Sequence, residues 1–255
     1  MSEQARDTAQ LIDLLRTQPE QALAVLHKAA AGQTDQNVDA QLLLAQIYAE
    51  GRGIPVDPAT AMLWYEVAAN AGHPEAMNQL GRCHELGFGT VCNEMLAVLW
   101  YRRAAEHGLD WGMYNLAHLY ASGRGLAQDH AQALALYRSA AERGHAKSMN
   151  LLARYLDQGL ACDADPAAAR DWYRRSAEAG DFRGQASYAT LLADAGDLDQ
   201  AERWMRRAIA SGHAGFLQQL VSLLTNANQP RLRALLREVT ARQSQLQPHV
   251  PADVA

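Results

Sequence analysis

Apolar residues along this chain fall at helical spacing in short stretches that recur, and glycine cuts the stretches apart. In residues 38–73 the first half, DAQLLLAQIYAEG, sets Ala40, Leu44, Ala45, Ile47 and Tyr48 on one helical stripe. The second half sets Ala61, Trp64, Tyr65, Ala68 and Ala69 on another. Between them Gly51 and Gly53 suit the left-handed turn that ends a helix. Asp57-Pro58 then starts the next one: an acceptor for orphan N–H groups, followed by a residue with no N–H to lose. Asp165-Pro166 repeats this device, while Asn93 and Asp129 keep the cap without the proline.

The pattern returns at a fixed interval. Gly72, Gly108, Gly144 and Gly180 stand 36 residues apart, and Gly212 follows after 32. Each closes a stretch of the same kind: WYEVAANAG, WYRRAAEHG, LYRSAAERG, WYRRSAEAG and WMRRAIASG. Such self-similarity predicts a stacked array of helix pairs, each burying its apolar face against its neighbours. The small alanines allow close helix approach. The Trp and Tyr columns are framework, each buried ring contributing about 1.5–3 kcal/mol. Five repeats are read over 38–213, capping helices over 1–37 and 214–242, and a tail expected to be disordered over 243–255. The fifth repeat, with ADAGDLDQA, has a turn shorter than its predecessors.

Composition narrows the partners. A net charge of -5 gives no chain-wide reason to expect nucleic acid or an anionic membrane. No run of 18 apolar residues occurs, so no membrane insertion is expected. The stretch MSEQARDTAQLIDLLRTQPEQ lacks the basic, apolar and small-residue regions of a secretory signal, which makes the cytoplasm the expected compartment. Cys83, Cys92 and Cys162 are too few and too irregular for a disulfide framework.

Chemistry-bearing residues do not assemble in the sequence. His73, His145 and His213 share one column just past the closing glycine and read as a repeated surface turn position. Cys83, His84 and Cys92 are metal-ligand types without the CxxC spacing of a zinc knot. His118 and His130 fall on different helices. The turns at Arg52 and Arg124 lack the strand-to-helix setting of a phosphate loop. The expectation is a protein that is not an enzyme and takes no cofactor or metal.

The repeat closely resembles the Sel1-like subfamily of tetratricopeptide repeats over about residues 38–213. Its marks are LAQIYAEGRGIPVDPATAMLWYEVAANAGH, LGRCHELGFGTVCNEMLAVLWYRRAAEHG, LAHLYASGRGLAQDHAQALALYRSAAERGH and LARYLDQGLACDADPAAARDWYRRSAEAG. The resemblance implies an all-α, right-handed α-solenoid superhelix of antiparallel helix pairs. In that family such scaffolds serve protein–protein contacts, commonly as bacterial adaptors. A cysteine-rich branch carries a disulfide in each repeat and binds penicillin-like compounds. Here Cys83 and Cys162 stand in otherwise apolar columns, so that branch's staples and ligand do not carry over.

By analogy with tetratricopeptide arrays, the first helix of each pair lines the concave face. The columns that point there hold Asn78, Arg82, Trp111, Tyr114, His118, Lys147, Asn150, Arg154 and Arg183. Arginine grips carboxylate in two places, amides bond a peptide backbone, and rings anchor apolar side chains. The expected function is an adaptor that holds a protein or peptide, acidic or with a free C-terminus. The competing readings are a small-molecule or glycan binder using Trp111 and Tyr114, and a weak penicillin-processing hydrolase.

Overall fold

The side chains expected to start the second helices do so. Asp57 accepts the Thr60 N–H, Asn93 that of Leu96, and Asp165 that of Ala168. Asp129 Oδ1 takes the N–H groups of Ala131 and Gln132. The computed structural model describes residues 13–14, 16–31 and 35–246, and no strand occurs among them. The first helices of the five repeats are α2 (Asp35–Glu50), α4 (Pro74–Leu86), α6 (Asp110–Ser122), α8 (Ala146–Gln158) and α10 (Phe182–Asp194). Their second helices are α3 (Pro58–Asn70), α5 (Glu94–Glu106), α7 (His130–Glu142), α9 (Pro166–Glu178) and α11 (Leu198–Ser211). α1 (Pro19–Ala30) precedes them; α12 (Ala214–Thr225), α13 (Pro230–Ala234) and α14 (Leu236–Leu246) follow. The fold is all-α, built from helix pairs in tandem.

The chain forms two compact units, Met1–Leu136 and Tyr137–Ala255, with the boundary inside α7. In the first unit the alanine columns and Tyr65 close on Leu80, Cys83 and Trp100, while Tyr101 packs with Leu116 and Leu119. In the second unit the last repeat and α12–α14 share one core, from Ala189 and Met205 to Leu220, Leu235 and Val239. With Val239 in that core, α14 continues to Leu246. Residues 243–246 are therefore helical, and the rest of the expected tail, 247–255, lies outside the described residues. Much of the expected N-terminal cap, residues 1–12, 15 and 32–34, does too.

The Trp column is roofed by arginine one turn later. Arg103 lies over Trp100 at 4.9 Å, Arg175 over Trp172 at 3.8 Å and Arg207 over Trp204 at 4.5 Å. The framework reading of these rings fits that cover, which also lets each arginine stem shield apolar surface.

Two backbone positions depart from the pattern. Gly72, Gly108, Gly144 and Gly180 all have positive φ, whereas Gly212 has φ -70 and extended ψ. The fifth glycine of the column is there for space: a Cβ on it would lie 2.5 Å from the Phe216 ring. Conversely, Ala161 has φ 58 in the column filled elsewhere by Gly53, Gly89 and Gly125. A left-handed alanine costs about 1–2 kcal/mol.

Candidate functional site

In the first unit the aromatic candidates form a row along α6. Trp111 meets Tyr114 edge-on at 5.7 Å, and Tyr114 meets His118 edge-on at 4.6 Å. Spacings of three and four residues put all three on one side of the helix. Trp111 is 42% exposed, so part of a large aromatic ring faces solvent.

Arg82 also lies in the first unit, in a cavity of about 320 Å³ between α2 and α4. Gln46, Glu50, Gln79, Leu86 and Phe88 are among its walls. The Arg82 guanidinium donates to Gln79 at 3.1 Å. Burial pushes the Cys83 thiol up to about 11 despite Arg82 beside it, which keeps that sulfur protonated and weakly nucleophilic at neutral pH. With Glu50 in the same wall, this cavity does not favour an anion by charge alone.

The second unit differs. Asn150 and Arg154 on α8, Arg183 and Ser187 on α10, and Phe216, Gln219 and Leu220 on α12 surround a cavity of about 260 Å³. Among the described residues no carboxylate lines it. Arg154 and Arg183 make no ion pair among the described residues, while Arg124, Arg174, Arg206 and Arg231 each engage two carboxylates. Arg183 is steadied by rings, 4.8 Å from Phe182 and 6.0 Å from Phe216. Burial, helped by the Asp157 carboxylate, pushes the Tyr173 hydroxyl in the wall up to about 12, with Arg154 acting against both. Lys147 is half-buried. With Arg183 it opposes the burial that lifts the Asp181 carboxyl above the usual carboxylate range.

The two asparagines are placed otherwise than expected. Asn78 is only 5% exposed, and its Oδ1 accepts from Asn115 at 2.8 Å. Asn150 is 9% exposed, and its Oδ1 accepts from Ser187 at 3.2 Å. Each bond ties one first helix to the next. A partner of 37 residues' separation, one period plus one, is the signal that would have exposed this ladder.

The histidine column also has a role that sequence reading missed. His73, His145 and His213 are N-caps whose Nδ1 accepts the N–H three residues on, from Ala76, Ser148 and Phe216. His145 is 6% exposed, so "surface turn" is wrong for it. Asp181 fills the same column and caps α10 through Gly184, which was the available clue. Arg124 was missed as well. It reaches back to Glu85 at 2.9 Å and Glu94 at 2.7 Å, and Tyr101 donates to Glu85 at 2.6 Å. Among the described residues, no group of three or more His, Cys, Asp or Glu could hold a metal, and no helix is long and apolar enough to cross a membrane.

Tandem helix pairs with capped starts and glycine turns define an all-α repeat protein. The chain belongs to the Sel1 repeat family, whose model matches residues 38–73, 74–109, 112–145, 146–181 and 193–213. It is similar to a solved Sel1 repeat protein from Oxalobacter formigenes at 28% identity and TM-score 0.72, over 93% of this chain and 98% of that one. It is also similar to c5321, a protective antigen of uropathogenic Escherichia coli with an SLR fold, at 30% identity and TM-score 0.64. That match covers 82% of this chain and 46% of the antigen. The immunity protein Pa5087 of Pseudomonas aeruginosa shares the fold at 15% identity and TM-score 0.56, over 83% of each chain. Among curated proteins, none matches.

Proposed function

We propose that the chain is a non-enzymatic cytoplasmic adaptor whose first-helix surface binds a peptide segment or partner protein, acidic or with a free C-terminus. Membership of the Sel1 repeat family, whose repeats are generally protein-interaction modules, supports the general reading. The observation that carries it is the row of Trp111, Tyr114 and His118, with an exposed tryptophan in a column otherwise filled by Asp, Glu, Lys and Arg. An exposed Trp beside a polar rim is the composition of an interface hot spot.

The test compares partner capture from the source cell's extract by wild type, Trp111→Ala and Arg82→Glu, with mass spectrometry as readout. A specific partner retained by wild type and reduced at least tenfold by Trp111→Ala is expected, since hot-spot truncation costs about 2 kcal/mol or more. Equal recovery by all three proteins rules out the first-unit surface.

A further inference from the structure

Beside the cavity that holds Arg154 and Arg183 lies a second one. That neighbour, about 250 Å³, is lined by Thr190, Asp194, Asn226, Asn228 and Gln229, and Leu223 lines both. Leu223 is 41% exposed, an apolar side chain between two polar ends. The arginines line one cavity, and the Asp194 carboxylate lines the other. Arg183 and Asp194 sit eleven residues apart on α10, roughly 16 Å at 1.5 Å per residue. That span matches about five residues of extended peptide.

We propose that this groove binds the last residues of a partner chain. The terminal carboxylate lies between Arg154 and Arg183, and the apolar last side chain rests against Phe216, Leu220 and Leu223. The preceding backbone runs towards Asp194, which accepts from an N–H or a basic side chain. A chain end is favoured over an internal acidic residue for a geometric reason. Only a C-terminal residue carries both a main-chain carboxylate and an apolar side chain on one Cα, and the small cavity offers two cations and an apolar wall side by side. Among the described residues neither guanidinium makes an ion pair and no carboxylate lines that end, so its two cations complement an anion although Asp157 stands near Tyr173 in the wall. The proposal rests on the adaptor reading above and gives the partner's chemistry.

The test is affinity selection by the full chain from octapeptides randomised at their last three positions, made with free and with amidated C-termini. Leu, Ile, Met or Phe should be enriched at the last position of the free pool, and the amidated pool should not be retained. The best free-ended peptide, labelled with fluorescein, should lose roughly tenfold or more in affinity on Arg154→Gln or Arg183→Gln. Leu223→Asp should also weaken it. Arg154 is exposed, so its variant keeps the test decisive should Arg183→Gln lower the melting temperature. Equal retention of amidated peptides, enrichment of internal Asp or Glu in both pools, or no retention at all overturns the proposal. If peptides fail but partner capture still depends on Trp111, the chain-end site falls and the adaptor reading stands. If peptides bind and capture ignores Trp111, the first-unit surface falls instead.

Discussion

Asn115 donates its side-chain amide to Asn78 across 2.8 Å, from the first helix of one repeat to the first helix of the repeat before it. Asn78 belongs to a surface that sequence columns assign to partner binding, yet here its amide oxygen holds the neighbouring helix. Asn115→Ala removes the donor and leaves the buried Asn78 oxygen without it. A loss of about 1–3 kcal/mol is expected, measured as a lower urea midpoint. An unchanged midpoint would mean that water replaces the bond at no cost.

Gly81→Ala sets propensity against packing. The column holds Ala45, Ala117, Ala153 and Ala189, and alanine in a helix gains about 1 kcal/mol over glycine. Here, however, the added Cβ would lie 2.7 Å from the Tyr101 ring. That ring is fully buried, and its hydroxyl is held by Glu85. Overpacking should win, with a net loss of about 1–3 kcal/mol in thermal or urea unfolding. A stabilised variant would contradict this.

Ala161→Gly should act in the opposite sense. The φ of 58 at Ala161 is strained for any side chain, and its release outweighs the extra freedom glycine has when unfolded. A gain of about 1 kcal/mol is expected, read as a raised urea midpoint with the same slope. No gain would show that the turn has relaxed around its alanine.

Acid should weaken the first unit through His84. Burial holds this imidazole below its ordinary value, with Glu66 only partly opposing, and Nδ1 is buried with no hydrogen-bond partner among the described residues. A group whose pKa falls on folding binds fewer protons folded than unfolded. Stability therefore rises with pH through the window below about 6.5 and is lost on acidification. His84→Leu, which copies Leu156 in the same column, should flatten the decline between pH 7 and pH 5. Identical slopes for the two proteins would exclude His84 as the cause.

Much of the scaffold was legible in the residues themselves. The 36-residue interval, the Asp and Asn caps and the glycine turns are local features, satisfied within a few positions of where they are written. That is why Asp57, Asn93 and Asp165 do what their sequence setting implies. The candidate surface was legible only in part, because a column states which side of a helix a residue occupies and not what covers it there.

What the chain alone determined was helix, turn and order, since these depend on backbone geometry and on spacing along one strand of sequence. What only the tertiary structure decided was which polar side chains remain available. Asn78 and Asn150 are taken by partners 37 residues on, and Arg124 by carboxylates 30 and 39 residues back. Arg154 and Arg183 make no ion pair among the described residues and stand beside Phe216, Leu220 and Leu223. Those outcomes depend on the reach of long side chains between neighbouring helices, a distance that no interval along the chain records.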